Sequence, residues 1–583
     1  MTYHFGPRWT DQGVEFRLWA PAASRVELIL EDPGPNPAGS APRSCYPMSC
    51  QERGWWRSTA LERPEGTPYL FRINGEHLVP DPASRQQLQD VHGPSLLVAP
   101  NSRAPSFSRR TWEELVFYEV HVGTATPEGT FAALEERLPE LAALGITALE
   151  LMPLADFPGK RNWGYDGVLP FAPDTTYGTP AELKHLAEAA HRAGLSLWLD
   201  VVYNHFGPEG NYLHLYAPQF FTTDQQTPWG AAIDFTVPEV RRFFLENGIY
   251  WTRDMGFDGL RLDAVHAIHD PSEEHFLSSF SRDLHASQEQ KRTIFLVLEN
   301  DQNEALYLQE TDSPPGYAPE YDGQWNDDIH HVFHVLLTRE DHGYYSEYQN
   351  DPEKLLLQAL AGGFIRHGPT TLPPARFIAF LQNHDQIGNR AFGERLVTLA
   401  PKEALEAATA VLLLAPQIPL LFMGEPWGCS TPFQFFCDFS ADLAEAVKTG
   451  RRSEFGLEDL PDPGAPGTWQ ASRLQHPPGP ENGQWLHLHR KLLTLRREHL
   501  VPLLPHLKAG RATGGGETAA TVLWDPSWGM HLNLHNRARP LPENLFIEQD
   551  NPLPGEIFRL PDQGWPDNGH MPPWSCIVFW RTP

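Results

Sequence analysis

Three carboxylates, each just beyond a short apolar run, carry the most evident chemistry in this chain. In GFDGLRLDAVH (256–266), Leu260 and Leu262 alternate with Arg261 and Asp263. On a strand, side chains alternate faces, so Arg261 and Asp263 point one way and the leucines the other. A guanidinium two residues away keeps Asp263 ionised at neutral pH. Such a carboxylate can be a nucleophile, a metal ligand or half of a structural ion pair. The same pattern recurs. LWLDVVYNH (197–205) delivers Asp200, Asn204 and His205, and GLRLDAVH adds His266. FLVLEN (295–300) delivers Glu299, and IAFLQNHD (378–385) delivers Asn383, His384 and Asp385. Any one group reads as a cap or an ion pair. Four such groups, each at the end of a separate strand, read as one rim.

A metal hydrolase would also use His and Asp. However, no HxxxH or HxH pair stands at these strand ends, and Arg261 would repel a dication. Glycoside hydrolysis fits better, because it needs one nucleophilic carboxylate and one carboxyl held protonated as acid. Asp263, beside Arg261, suits the nucleophile. Glu299 follows an apolar strand with no cation adjacent in sequence, so its pKa can rise as an acid requires. Asp385 and His384 are placed to hold sugar hydroxyls.

The elements that would position these groups follow from periodicity. Apolar runs at 116–122, 147–153, 195–203, 259–265, 293–299, 376–382 and 419–423 read as buried strands with helices between them. The clearest helix spans 180–193: Thr179 and Glu182 form a capping box, Pro180 sits at N1, and Gly194 stops it. Repeated β/α units predict a parallel (β/α)8 barrel over 113–505. The eighth strand it requires is placed sixth, near 322–333 (DGQWNDDIHHVF), although this stretch is polar where a strand should be apolar. Residues 408–424 read as a helix followed by a buried strand, not a membrane span.

Short strands with turn signals predict an N-terminal β-sandwich over 1–90. A linker over 91–112 and a C-terminal β-sandwich domain over 506–583 complete the division. Trp55 and Trp56 read as core or domain-contact residues ahead of sugar platforms.

With 583 residues the chain is too long for one core. Lys+Arg is 45 against Asp+Glu 74, a net charge of −29, which argues against nucleic acid or an anionic membrane as partner. The five cysteines have no metal-ligand spacing, and their odd number argues against a full disulfide framework. No signal-peptide pattern is visible in MTYHFGPRWT, so the expectation is a cytoplasmic protein, a monomer or small homo-oligomer, with no cofactor.

DVVYNH (200–205), GFDGLRLDAVH (256–266), LEND (298–301) and LQNHD (381–385) resemble, in order, the four signature regions of the α-amylase family, glycoside hydrolase family 13. The resemblance implies a (β/α)8 barrel and a retaining mechanism. Asp263 would be the nucleophile, Glu299 the general acid/base and Asp385 the transition-state stabiliser. It further implies that Arg261 orients Asp263, that Asp200 supports Arg261, and that His205 and His384 bind hydroxyls of the sugar at the cleaved bond. NWGYDGVLPFAPDTTYGTP (162–180) is similar to the family's second-strand loop, where Tyr165 would stack on that sugar and Tyr177 would pack. Asn383 belongs to the same substrate-binding set.

The N-terminal sandwich resembles the carbohydrate-binding-type domain of branching and debranching members. Stretches 5–21, 325–345, 421–439 and 450–455 look instead like those of one hydrolytic subgroup. Its implied substrate is maltooligosyl trehalose, among α-glucan oligosaccharides. His266, Trp325, Asn326, Asp327 and Asp328 are then candidates to recognise the leaving trehalose, with Glu425 and Trp427 weaker candidates. Branching or debranching chemistry, and a non-enzymatic glucan-binding role, stay open at this point. Many α-amylases hold calcium near the residue matching Asn204. Here the loop after the third strand has no evident cluster of Asp ligands, and no metal is expected.

Overall fold

The structure is a computed structural model. It describes residues 3–31, 43–99, 107–108, 110–227, 230–288, 292–309, 320–366, 368, 370–475, 483–525, 527–541, 555–563, 565 and 569–580. Eight parallel strands close into a barrel in chain order. They are Phe117–Val120, Ala148–Leu151, Ser196–Val201, Gly259–Leu262, Phe295–Leu298, Gly323–Trp325, Phe377–Ala379 and Ile418–Phe422. Seven lie within the stretches read as strands from the sequence, and the eighth begins at Ile418, one residue ahead of 419–423.

Register decides what the barrel encloses. Asp200 pairs with Arg261 across the third and fourth strands, and Glu119 with Glu150 across the first and second. The lower layer is aromatic: the Trp198 ring stacks on Phe295 at 6.1 Å and meets Phe117 edge-on at 4.8 Å. Above it, Glu119, Glu150, Asp200 and Arg261 are all buried. Packing therefore plugs one end of the barrel, and charge fills the other.

The stretch read as the sixth strand divides in two. Gly323–Trp325 is the strand, and Asp327–Thr338 is already a helix. The polar residues that looked wrong for a strand begin that helix. The Asn326 side chain accepts from the Ile329 N–H at 3.4 Å, and Asp327 and Asp328 occupy the first turn, where the helix dipole favours carboxylates. The helix Pro180–Arg192 starts with the Thr179–Glu182 capping box and Pro180 that its sequence announces. Residues 408–424 hold the end of the helix Lys402–Leu414 and the eighth strand. Buried Arg496 closes that junction by donating to the carbonyls of Leu413, Ala415 and Gln417. Among the described residues, no helix is long and apolar enough to cross a membrane.

In front of the barrel, a five-stranded sheet centred on Val26–Glu31 faces a three-stranded one of Arg17–Trp19, Trp55–Arg57 and Ser49–Cys50. The larger sheet reaches past residue 90, because Ser95–Leu96 pairs with Pro68–Tyr69. Parts of the 91–112 stretch lie outside the described residues. Trp56 is buried and donates to the Ala20 carbonyl, while Trp55 packs on Phe5 at 4.8 Å. Phe5 in turn meets Phe243 of the barrel helix Pro238–Ile249, so both tryptophans serve packing.

After the barrel, a five-stranded antiparallel sheet runs Arg511–Thr513, Ala520–Trp524, Trp528–Asn533, Ser575–Trp580 and Glu556–Leu560. It docks through Trp524 and Trp528, whose indoles donate to the Leu360 and Leu414 carbonyls. A buried ion pair adds to this: Arg539 donates to both Glu353 oxygens, at 2.6 and 2.8 Å. Removing one partner of a buried pair leaves a charge without compensation. Arg539→Ala should therefore destabilise the protein by about 3 kcal/mol or more. Urea unfolding should show a lower midpoint, and Glu353→Gln in the same chain should recover part of the loss.

Candidate active site

The rim groups meet around one guanidinium. Arg261 Nη1 donates to both Asp200 oxygens, at 2.9 and 2.8 Å, and to Asp263 Oδ1 at 2.7 Å. Its Nη2 stands 3.7 Å from Glu299 Oε2, and its plane lies over the Trp325 ring at 4.1 Å. Asn204 adds a second hold on Asp263, donating to its carbonyl at 2.8 Å and its Oδ2 at 2.9 Å. Burial alone would raise the Asp263 pKa. The charge of Arg261 and the Asn204 hydrogen bond outweigh it and hold the carboxyl below its ordinary value.

Glu299 goes the other way. Desolvation raises it well above the ordinary carboxylate range, with Asp263 and Asp327 adding to the shift against Arg261. Its Oε2 accepts from the Ala264 N–H at 2.5 Å. Ala264 has φ +41°, a left-handed conformation rare for a residue with a Cβ. That turn, immediately after Asp263, aims the amide at Glu299. One carboxylate is ionised, the other is poised to carry a proton, and both lie beside one cation.

Asp385 opens to the cleft at the start of the short helix His384–Gly388. Asn389 donates to its Oδ1 at 2.6 Å, and Arg451 donates in turn to Asn389 Oδ1 at 3.3 Å. Arg451 comes from the helix Ala441–Phe455, which has no buried residue and lies on the surface near the mouth. His384 is buried and stacks on Tyr165 at 5.0 Å, and the Tyr165 hydroxyl donates to Asp200 at 2.6 Å. Tyr177 is buried against His121, Phe131 and Phe157, as a packing residue would be.

Several expected contacts with sugar fall elsewhere. Both ring nitrogens of His205 are taken within the protein, by the Asn204 side chain and the Tyr165 carbonyl. Asn383 is fully buried and caps its helix, accepting from the N–H groups of Asp385 and Gln386. Trp325 is buried beneath Arg261 and acts on that guanidinium. Asn326 is buried, donating to the Gly363 carbonyl. Asp328 accepts from Asn303, Tyr348 and the Ile365 N–H in the interior. Glu425 is buried and accepts from the Phe422 N–H, and Trp427 is buried too. Each stands at the right end of the barrel, in a strand end, a loop or a first helical turn, yet the local geometry turns it inward. Asp327 and His266 remain at the cleft: Asp327 accepts from Gln386 at 3.1 Å, and exposed His266 lies 3.4 Å from Asp301.

Sequence reasoning missed Glu119 and Asn389. Glu119 sits in FYEV, a charge inside an otherwise apolar buried strand, and that mismatch was the available signal. Asn389 carries no such mark, since its role depends on a helical i, i+4 contact. Among the described residues, no group of three or more His, Cys, Asp or Glu could hold a metal ion.

Comparison with known proteins agrees with this geometry. Residues 4–89 match carbohydrate-binding module 48, the isoamylase N-terminal domain, and residues 105–229 match the alpha amylase catalytic domain. The chain is 38% identical to a malto-oligosyltrehalose trehalohydrolase of Saccharolobus solfataricus, over 85% of this chain and 87% of that protein. It is 41% identical to one of Deinococcus radiodurans, over 88% and 85%. A crystal structure described as a putative alpha amylase from Salmonella typhimurium superposes with a TM-score of 0.90 at 40% identity, covering 100% of both chains.

Opposite protonation states of Asp263 and Glu299 require a bell-shaped dependence of kcat/KM on pH for α-glucan hydrolysis. Asp263 must be ionised, so its depressed pKa sets the acid limb; Glu299 must be protonated, so its raised pKa sets the alkaline limb. Asn204→Ala removes one hold on ionised Asp263 and should move the acid limb to higher pH with little change in the alkaline limb. An unmoved acid limb would remove Asp263 from that role.

Proposed function

The chain belongs to the malto-oligosyltrehalose trehalohydrolases of the α-amylase family, and from that premise we propose that it hydrolyses the α-1,4-glucosidic bond next to the trehalose unit of maltooligosyl trehalose. The products are trehalose and a maltooligosaccharide, which makes the protein a glycosidase of trehalose biosynthesis. The observation that carries the reading is the guanidinium of Arg261 beside two carboxyls in opposite protonation states. Glu299 gives its proton to the glycosidic oxygen of the departing trehalose. Asp263 attacks the anomeric carbon and forms a glycosyl ester. Ionised Glu299 then takes a proton from water, whose oxygen displaces Asp263 with net retention. Asp385 steadies the cation-like sugar in the transition state of each step, and Tyr165 and His384 bind the sugar at the cleaved bond.

Asp327 and His266 border the leaving-group side and are the residues assigned to trehalose. Branching or debranching is the weaker reading, since the relatives reported above carry the trehalohydrolase name. A glucan-binding role without catalysis would leave the opposed states of Asp263 and Glu299 without a use. The substrate is a soluble oligosaccharide, and a net charge of −29 disfavours nucleic acid. We place the protein in the cytoplasm, as a monomer or small homo-oligomer.

Incubation with maltooligosyl trehalose should yield trehalose, while maltohexaose should give little glucose or maltose. Branched glucan from maltohexaose, or no trehalose from the first substrate, would overturn the reading. Asp263→Ala should lower turnover by several orders of magnitude and leave substrate binding intact. Chromatography of the products and calorimetric titration would measure the two.

A further inference from the structure

Beneath the catalytic rim lie two carboxyls that the hydrolytic cycle does not use. Glu119 and Glu150 are register partners on the first and second barrel strands, and each is 1% exposed. Their surroundings differ. Glu119 takes two hydrogen bonds from one residue: His384 Nδ1–H at 2.5 Å and the His384 backbone N–H at 3.0 Å. Among the described residues, both oxygens of Glu150 lack a hydrogen-bond partner. Two buried like charges side by side cannot both persist without compensation, and the one with partners keeps the charge.

We propose that Glu119 is a positioning residue: as the ionised member of this pair, with Glu150 neutral beside it, it holds His384 as an imidazolium whose Nε2–H faces a hydroxyl of the sugar at the cleaved bond. The backbone bond anchors Glu119 against His384, and the Nδ1 bond fixes the ring's rotation and keeps a proton on Nδ1. In the imidazolium Nε2 carries the second proton and is the remaining donor. Tyr165 stacks on one face of the ring and Trp163 meets it edge-on at 5.7 Å, leaving little rotational freedom.

The charges around His384 are Glu119, Asp385 and Asp200, which favour the cation, and Arg261, which opposes it; His121 is also near, but burial lowers its pKa to about 4 and leaves it neutral. Burial lowers the His384 pKa, but the charge and hydrogen bond of Glu119, with Asp385, more than offset this and raise it above the ordinary imidazole value. Glu150 is pushed well above the carboxylate range by burial, with Glu119 and Asp200 adding to it. A cationic donor forms a stronger hydrogen bond to a sugar hydroxyl than a neutral one.

The inference rests on the hydrolase reading for its kinetic measurement, so the test has a second arm that needs no turnover. Glu119→Gln and Glu150→Gln are isosteric and each removes one carboxyl. Glu150→Gln should keep kcat/KM close to the parent at all pH values, since it replaces a neutral group by a neutral group. Glu119→Gln should lower kcat/KM, and its ratio to the parent should fall with pH, by up to about tenfold per unit, between the lowered His384 pKa of the variant and the higher one of the parent, and level off above that. A merely structural defect would give a ratio that does not depend on pH.

In the second arm, the His384 Cε1–H resonance, assigned by its loss in His384→Asn, should titrate at lower pH in Glu119→Gln than in the parent and in Glu150→Gln. A parent protein that releases no trehalose would sink the hydrolase reading alone. Unchanged His384 titration, or equal losses in the two glutamine variants, would overturn the role of Glu119.

Discussion

The mouth of this barrel is organised by one desolvated cation. The Arg261 guanidinium touches Asp200 and Asp263, stands near Glu299 and lies on the Trp325 ring. A buried arginine has to be compensated, and here compensation and function coincide. Asp200, its strand neighbour, carries no exposed function and serves to keep the cation in place. That leaves the cation free to divide the two rim carboxyls: the one in direct contact stays ionised, and the one at longer range follows its desolvation instead. Trp325 completes the arrangement from below, because a flat ring can support a guanidinium without competing for its hydrogen bonds.

The rest of the fold explains how such charge survives inside a protein. The aromatic layer of Trp198, Phe295 and Phe117 fills the opposite end of the barrel, so water reaches the charged layer from one side. The N-terminal sheets and the C-terminal sheet contribute little to the rim itself. They cover barrel helices, through Phe5 on Phe243 and Trp528 on the Leu414 carbonyl, and so steady the helices behind the strands.

The barrel was legible in the sequence because buried parallel strands are short and apolar while their ends are polar. Asp263, Glu299 and Asp385 were legible for the same reason. Arg261 and Asp200 could be linked only by a family resemblance, since the strand register that joins them has no local signature. Orientation was not legible within loops. Asn326, Asp328 and Asn383 occupy polar positions next to the cleft, yet each caps a helix or satisfies interior groups, and a sequence reads the same in either case. The sixth strand was hard to see because three residues of it run almost directly into a helix cap. Glu119 was overlooked because an acid within an apolar run looks like an interruption, although an inward-facing barrel position can house one.

The helix Ala441–Phe455 touches the site by a different route. It buries no residue of its own, and Arg451 reaches from it to Asn389 and to the Gly388 and Arg390 carbonyls. Its outer surface is therefore uncoupled from folding while one side chain stays coupled to catalysis. Such an appendage can diverge, lengthen or be exchanged between relatives at low thermodynamic risk, and each change would retune the cleft without rebuilding the scaffold.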